Sequence, residues 1–313
     1  MTSISVVLPN YNGKSLLEKN LPSLHHALQH VDHEIIVVDD ASTDDSVVFL
    51  KKNYPNILLI TRTKNSGFSV ACNAGLALAS KQRICIANTD VRFSPDYFVK
   101  ILPVIQGNVF AAKGRIRNEL PDGTFVNFDT TARSFLKRGF WRFDKTPFES
   151  QRQGFSWQIG GRFCLLGCCF VADAKKLKDL KGFDEIFTPF YWEDSDLPFR
   201  ALQAGYDLRY VPDAEVTHEV SSTINRYRKK ALRKLVSDRN KFLFTWRYLS
   251  GVGQWSLHIG YTLVSLLFRW IKLDWSYYAA LGMALMRTLF NWLSALNNLR
   301  SESFAKISKG KFS

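Results

Sequence analysis

Two short carboxylate-bearing stretches carry the chemistry this chain could do. Tyr191-Trp192-Glu193-Asp194-Ser195-Asp196 stands at the start of a helical pattern, and Asn88-Thr89-Asp90 ends an apolar run about a hundred residues earlier. A hard divalent cation bridging a diphosphate needs one or two carboxylates, with phosphate and water completing its shell, so Asp90 with one helper suffices. His218, in Val216-Thr217-His218-Glu219, is the candidate helper, and imidazole suits manganese and related metals. Asp196 reads as a helix-start carboxylate favoured by the dipole. Asp194 is then left to face a cleft as a general base, with Glu193 beside it.

The elements that must position these groups are legible as alternating runs. Ile4–Leu8, Glu34–Val38, Asn56–Ile60 and Arg83–Ala87 read as short buried strands, and a further strand covers Leu208–Val211. Leu16–His30, Ser42–Leu50 and Gly67–Ser80 read as helices between them, with Ser42 as a cap, and Asp196–Gly205 as a later helix. Strands separated by helices imply a mostly parallel, doubly wound α/β sheet. Such sheets bind ligands beyond the carboxyl ends of their strands. Asn10–Asn12, Asp39-Asp40 and Asn88–Asp90 all fall at that edge.

Asp39-Asp40 after the second strand serves either as a helix entry or as an acceptor pair for a base and ribose. Tyr11 in the first loop could stack on a base. Gly67, in Asn65-Ser66-Gly67-Phe68-Ser69, permits an unusual backbone angle and close ligand approach. No GxGxxG follows the first strand and no GxxxxGK[ST] occurs, which argues against a Rossmann dehydrogenase and excludes a P-loop.

The 313 residues hold one large domain or a domain plus an appendage. The net charge of +14 points to an anionic partner: nucleic acid, acidic membrane or a phosphorylated substrate. Five cysteines (Cys72, Cys85, Cys164, Cys168 and Cys169) form neither a disulfide framework nor zinc-site spacing, which fits a reducing compartment. The start, Met1-Thr2-Ser3 running into Ile4–Leu8, lacks a signal peptide, so a cytoplasmic location is expected.

Residues 128 to 156 interleave Arg133, Lys137, Arg138, Arg142 and Lys145 with Phe135, Phe140, Trp141 and Phe143. The segment reads as a solvated loop or as a basic-aromatic flap over an anionic ligand. Beyond Ser221 a basic helix carries Arg226, Arg228, Lys229, Lys230, Arg233 and Lys234. Two apolar segments follow, Val252–Ile271 and Tyr277–Leu296, interrupted by His258, Arg269, Arg287 and Asn291 and bordered by Trp255, Trp270, Trp275 and Trp292. Helices lying in a membrane surface are the favoured reading; an oligomer interface or spanning helices are the alternatives.

In this order, Val-Val-Leu-Pro-Asn-Tyr-Asn, Val-Val-Asp-Asp-Ala-Ser-Thr-Asp, Asn-Ser-Gly-Phe-Ser, Ala-Asn-Thr-Asp-Val and Tyr-Trp-Glu-Asp-Ser-Asp-Leu resemble the family 2 glycosyltransferases of GT-A fold, most of all the bacterial rhamnosyltransferase-like branch. The resemblance covers about residues 3–222. It implies a GT-A domain over 1–222; the basic and apolar helical region over 223–313, from its own residues, is expected to associate with a membrane. The resemblance implies an inverting transferase that moves a sugar from a nucleoside-diphosphate donor to a hydroxyl of a lipid-linked glycan in surface polysaccharide synthesis, with a divalent metal, magnesium or manganese. By position, Pro9 and Tyr11 match the nucleotide loop, Asp40 and Asp39 the base and ribose contacts, and Gly67, Phe68 and Asn73 the donor-facing turn and helix. Asp90 matches the last residue of the DxD-type metal motif, whose first carboxylate is here Asn88. Asp194 matches the catalytic base of the Glu193-Asp194 motif, Trp192 the acceptor wall and His218 a metal ligand. The implied partners are donor, glycan acceptor and an anionic membrane on its cytoplasmic face, with no nucleic acid. A nucleic-acid-binding basic protein and an inactive membrane-surface scaffold of the same fold are the rival classes.

Overall fold

In the computed structural model, residues 2–120, 122–127, 130–147, 162–164, 166–219 and 230–309 are described. Arg226, Arg228, Lys229, and the part of the basic-aromatic segment between 148 and 161, lie outside them. The chain divides into two compact units: 1–135 with 142–230, and 136–141 with 231–313.

The first unit is built on a large sheet. Strands β1 (Ile4–Asn10), β2 (His33–Asp39), β3 (Leu58–Thr61) and β4 (Arg83–Ala87) are all parallel, in the order β3-β2-β1-β4. The apolar, β-branched runs of β1, β2 and β4 are buried on both faces, as a parallel sheet covered by helices requires, while the edge strand β3 is half-exposed. Helices α1 (Lys14–Ala27), α2 (Ser46–Asn53) and α3 (Phe68–Leu78) make the crossovers. Gly75 is what lets α3 lie close on the sheet, since a Cβ there would stand 2.3 Å from Val7 Cγ1. Helix α2 starts four residues later than the sequence pattern predicts. Ser42 is not its cap, because its hydroxyl accepts the Asn12 N–H and bonds the Asn10 amide.

After β4 the chain turns sharply into the edge strand β5 (Val91–Phe93), then α4 (Tyr97–Ile101) and the long β6 (Val109–Glu119). Strand β7 (Phe125–Asn127) pairs with β6. Strands β8 (Thr130–Lys137), β9 (Phe140–Pro147) and β10 (Arg162–Cys164) form a separate three-stranded sheet in the order β10-β8-β9. The segment expected as a loop or flap is thus a hairpin over its described part. Strand β11 (Cys169–Asp173) enters the large sheet antiparallel between β4 and β6, and is followed by α5 (Ala174–Asp179), α6 (Glu193–Gln203) and β12 (Asp207–Glu219). Strand β12 runs parallel to β6 and antiparallel to β5. The sheet is therefore parallel on one side and mixed on the other, with β12 far longer than the Leu208–Val211 run that reads as strand.

The second unit holds α7 (Lys230–Tyr248), α8 (Gly251–Ile271) and α9 (Trp275–Lys309). It also includes the hairpin tip Leu136–Trp141, whose Phe140 packs edge-on against Phe242 and His258. His258 is the buried residue of α8: its Nδ1–H donates to Gly139 O at 2.7 Å and its Nε2 accepts from Trp246 Nε1 at 2.8 Å. Among the described residues no helix is long and apolar enough to cross a membrane.

Candidate active site

The carboxyl edge of β1, β2 and β4 is stitched by side chains of the loops that leave it. Asn10, at the end of β1, donates to Asp39 Oδ2 at 2.8 Å, and its carbonyl accepts the Asp40 N–H. Asp39 also accepts the Ser42 N–H. Asn12, in left-handed backbone (φ 52°), accepts from the Thr43 and Asp44 N–H groups. Pro9 and Tyr11 are half-buried in and after β1, while Asp39 and Asp40 are buried.

Asp40 is turned away from the loop it belongs to. Its Oδ2 accepts the Ser66 and Gly67 N–H groups at 2.9 and 2.7 Å, and Oδ1 pairs with Arg62 Nε at 3.1 Å. The carboxylate expected from sequence to meet a base or ribose also accepts from the turn before α3. The next two residues of that turn pack on the segment leading to α6. Phe68 N–H donates to Pro189 O at 3.0 Å, and the Phe68 ring meets Phe183 edge-on at 5.6 Å. Asn73, expected from sequence to face the donor, bonds the segment before α6. Its amide donates to Phe183 O and Glu185 Oε1 and accepts the Phe183 N–H.

Asn88-Thr89-Asp90 lies where β4 gives way to β5. The Asn88 N–H binds Cys168 O, Thr89 O accepts the Asn20 amide, and Asp90 O accepts the Glu219 N–H at 3.0 Å. Asn88 is half-buried and Asp90 buried. His218 is brought to Asp90 by register: on β12 it pairs with Val91 of β5 on one side and Asn118 of β6 on the other. Its Nδ1–H donates to Asn118 Oδ1 at 2.8 Å. In the neutral ring this turns the Nε2 lone pair toward Asp90 Oδ1, 3.5 Å away. Two lone-pair donors held face to face suit a cation between them, with Asn118 fixing tautomer and ring plane. The donor set, one carboxylate oxygen and one imidazole nitrogen, fits magnesium or manganese completed by phosphate and water. Among the described residues no three His, Cys, Asp or Glu side chains cluster for a metal.

Helix α6 opens on Glu193 and Asp194, rises about 16 Å over its eleven residues, and ends four residues before β12 begins. Its entry is a corner of two consecutive left-handed residues, Tyr191 (φ 73°) and Trp192 (φ 78°). Non-glycine residues in this region cost about 1–2 kcal/mol each and persist where the surroundings hold them. The holding groups are visible. Asp196 N–H donates to Trp192 O at 2.8 Å. The fully buried Asp196 carboxylate binds Arg200 Nε at 2.7 Å, and the same guanidinium donates to Leu180 O and Gly182 O.

The two carboxyls of the motif sit in different environments. Glu193 is 8% exposed, and its Oε2 has no hydrogen-bond partner. Burial first, then the neighbouring Asp194 and Asp196 charges, push its pKa up to about 8. It therefore holds its proton at neutral pH. Asp194 is half-exposed, with Ser195 Oγ at 3.3 Å. Trp192 is half-buried and meets Phe143 of β9, ring centroids 5.9 Å apart.

Three groups were not singled out from sequence. Asn118 and Arg200 carry no motif signal, since their roles depend on register and on a helix turn. Lys113, buried on β6, is a lysine inside the apolar run Val109–Ala112 and could have been flagged on that ground. Its charge is felt at the Cys168 thiol, which is pushed up chiefly by burial, raised further by Cys169 and Asp90, and lowered by Lys113.

Comparison with known proteins decides the family, because the family described as Glycosyl transferase family 2 matches residues 5–172. The chain belongs to that family. This family 2 glycosyltransferase is 27% identical over 244 residues to an N-acetylglucosaminyl-diphospho-decaprenol L-rhamnosyltransferase of Mycobacterium tuberculosis, a match covering 71% of this chain and 78% of that one. It is 30% identical over 125 residues to a dolichol-phosphate mannosyltransferase of Pyrococcus furiosus, covering 37% of this chain and 35% of the relative. Among solved structures, GalNAc-T7 with UDP, GalNAc and Mn2+ aligns with a TM-score of 0.54 at 16% identity, over 77% of this chain and 47% of that one. The mannosyltransferase PcManGT of Pyrobaculum calidifontis, with GDP-Man and Mn2+, aligns at 0.52 and 15%, over 95% and 80%. These two likenesses establish the GT-A fold for this glycosyltransferase.

Proposed function

We propose that this enzyme transfers a sugar, with inversion, from a nucleoside-diphosphate donor to a hydroxyl of a lipid-linked glycan during surface polysaccharide synthesis. The reading is supported by the close Asp90–His218 pair at the end of β4 and by the Glu193–Asp194 carboxyls that open α6. The donor's nucleoside lies on the Pro9–Asn12 and Asp39–Ser42 loops. Asp90 and His218 would hold a divalent metal, which would supply positive charge to neutralise the departing diphosphate.

Asp194 accepts the proton of the acceptor hydroxyl as that oxygen bonds to the anomeric carbon. The bond from that carbon to the phosphate oxygen breaks, and the nucleoside diphosphate leaves with the electron pair. Glu193 cannot serve as the base while it holds its own proton. Its neutrality removes a like charge beside Asp194, the pattern by which adjacent carboxyls divide acid and base roles. Trp192 and Phe143 form the acceptor wall.

The acceptor class rests on the decaprenol-linked substrate in the rhamnosyltransferase relative's name. It agrees with the surface of the second unit. Leu263, Leu267, Phe268 and Ile271 of α8, and Leu289, Phe290 and Trp292 of α9, are exposed, with Arg269 and Lys272 beside them. An apolar face of this extent bordered by cations favours lying on the anionic, cytoplasmic face of a membrane.

The test is protection from thermal unfolding by a panel of nucleoside-diphosphate sugars, with and without manganese, followed by transfer to a polyprenyl-diphosphate-linked sugar. One donor class should protect, more strongly with manganese, and should yield an inverted linkage. Absence of both protection and transfer across the panel overturns the proposal.

A further inference from the structure

Helices α7, α8 and α9 leave an apolar groove of about 700 Å³ between them. Its walls are Trp246 of α7, Trp255 and Ile259 of α8, and Leu285 and Trp292 of α9, over a floor formed by His258, which is 3% exposed. The α9 wall runs from Leu281 to Trp292, about 16 Å of helix, so the groove is elongated. Its volume falls within the range of about 300–1,000 Å³ typical of small-molecule sites.

Three polar side chains of the lining spend their hydrogen bonds inside the unit. Trp246 Nε1–H donates to His258 Nε2 at 2.8 Å, His258 Nδ1–H to Gly139 O at 2.7 Å, and the Thr288 hydroxyl to Ala284 O at 3.0 Å. The hairpin tip closes on the floor tightly, since a Cβ on Gly139 would stand 2.5 Å from His258 Cα. A hydroxyl or charge placed here would lose its water and find little to bond, so the groove suits hydrocarbon. Charge narrows the choice of occupant. Residues 231–313 carry twelve lysines and arginines against three acidic residues. A second copy of this chain would bring the same positive surface and be repelled, whereas an anionic lipid is attracted. Leu289 and Trp292 belong both to the groove and to the exposed apolar face of α9, so the groove opens onto the surface read above as lying on a membrane.

We propose that this groove takes the isoprenoid chain of the lipid-linked acceptor, with the phosphates of that lipid left among the cations of the unit. That the chain is the acceptor's rests on the transferase reading above; that the groove takes an isoprenoid chain does not.

The test irradiates the full-length protein with farnesyl phosphate carrying a benzophenone at the far end of its chain. The label should fall on peptides of α8 and α9. Undecaprenyl phosphate should compete it away, and phosphatidylglycerol vesicles at equal lipid concentration should not. Ile259→Trp and Leu285→Trp fill the groove from opposite walls, at positions 52% and 55% exposed where the larger ring need not enter the core. Each should cut labelling by about tenfold, since burial of a few methylene-sized groups is worth at least that in Kd. In transfer, the preference in kcat/KM for an undecaprenyl-diphosphate-linked over a butyl-diphosphate-linked sugar should shrink by about tenfold in either variant, because remote binding energy is lost. If one variant fails to fold, the other, with the competition, still decides. Label outside α8 and α9, or labelling unaltered by the substitutions, overturns the proposal. So does equal competition by phosphatidylglycerol, which makes the groove a seat for bulk lipid, or a wild-type dimer that the substitutions dissociate, which makes it an interface between copies. If no acceptor is glycosylated, the transferase reading falls while the labelling still decides the groove.

Discussion

The buried Glu193 carboxyl makes a stability prediction whose sign and size follow from its surroundings. Its pKa rises from 4.5 to about 8, with burial the largest cause. Between those values the folded protein keeps a proton that the unfolded chain has released. Stability associated with this group is therefore fully present below pH 4.5 and declines as pH rises through 8. At about 1.4 kcal/mol per pKa unit the full decline is on the order of 4–5 kcal/mol, an upper bound because the group is buried beside other carboxylates. Glu193→Gln is the matching perturbation. Its amide copies the shape of the neutral acid, and its carbonyl can still accept the Tyr191 and Glu193 backbone N–H groups that the carboxyl now uses. Urea unfolding of both proteins at pH 5, 6.5 and 8.5 should show the variant near parity at pH 5. It should then gain by roughly 2–3 kcal/mol at pH 6.5 and more at pH 8.5. Transfer at pH 7 should persist within a few-fold. A stability difference that stays flat over this range, or falls with pH, refutes the claim that Glu193 is kept neutral by burial.

Other outcomes follow from neighbouring groups. Asp194→Asn should lower kcat by about 10²–10⁴-fold with nucleoside-diphosphate affinity intact, checked by initial rates and titration calorimetry; near-normal transfer removes it as the base. Asn118→Ala frees the His218 ring and should weaken manganese-dependent donor protection by about 10–100-fold in metal concentration, with Asp90→Ala at least as damaging. Manganese titrations that overlay the wild type refute metal binding by Asp90 and His218. Leu263→Lys with Phe268→Lys should reduce cosedimentation with phosphatidylglycerol vesicles and leave thermal protection by donor unchanged, since both side chains are exposed on α8. Undiminished cosedimentation refutes a membrane face there.

Much of the first unit was legible because its signals are local. Apolar runs at β1, β2 and β4 end in polar loops, and the spacing of Leu17, Leu21 and Leu24 makes one face of α1, all three buried. The mixed half of the sheet was less legible. Strand β12 runs on past Val211 through a register shift before Glu215, and polar residues such as Asp213 and Glu215 hide its continuation. His218 could be suspected as a metal helper from its type, but its partner Asn118 is set by register between strands a hundred residues apart. The left-handed corner before α6 left no trace, because neither Tyr191 nor Trp192 is a residue that favours positive φ.

Residue type fixes what a side chain can do, but the fold decides where its lone pairs and protons are used. Asp39, Asp40, Asn73 and Asp196 each also make hydrogen bonds or ion pairs within the chain. Among these, Asn73 braces the segment entering α6, and Asp196 with Arg200 pins its first turn. Asp194 sits at the convergence of these restraints, on a helix whose entry is strained. A carboxylate required to meet a hydroxyl at the anomeric carbon gains from such fixed orientation, because misplacement by about 1 Å can cost on the order of a hundredfold in rate. Acidic residues crowded into one motif therefore do unlike work. One is open for proton transfer, one is held neutral beside it, and the buried ones keep the first in position.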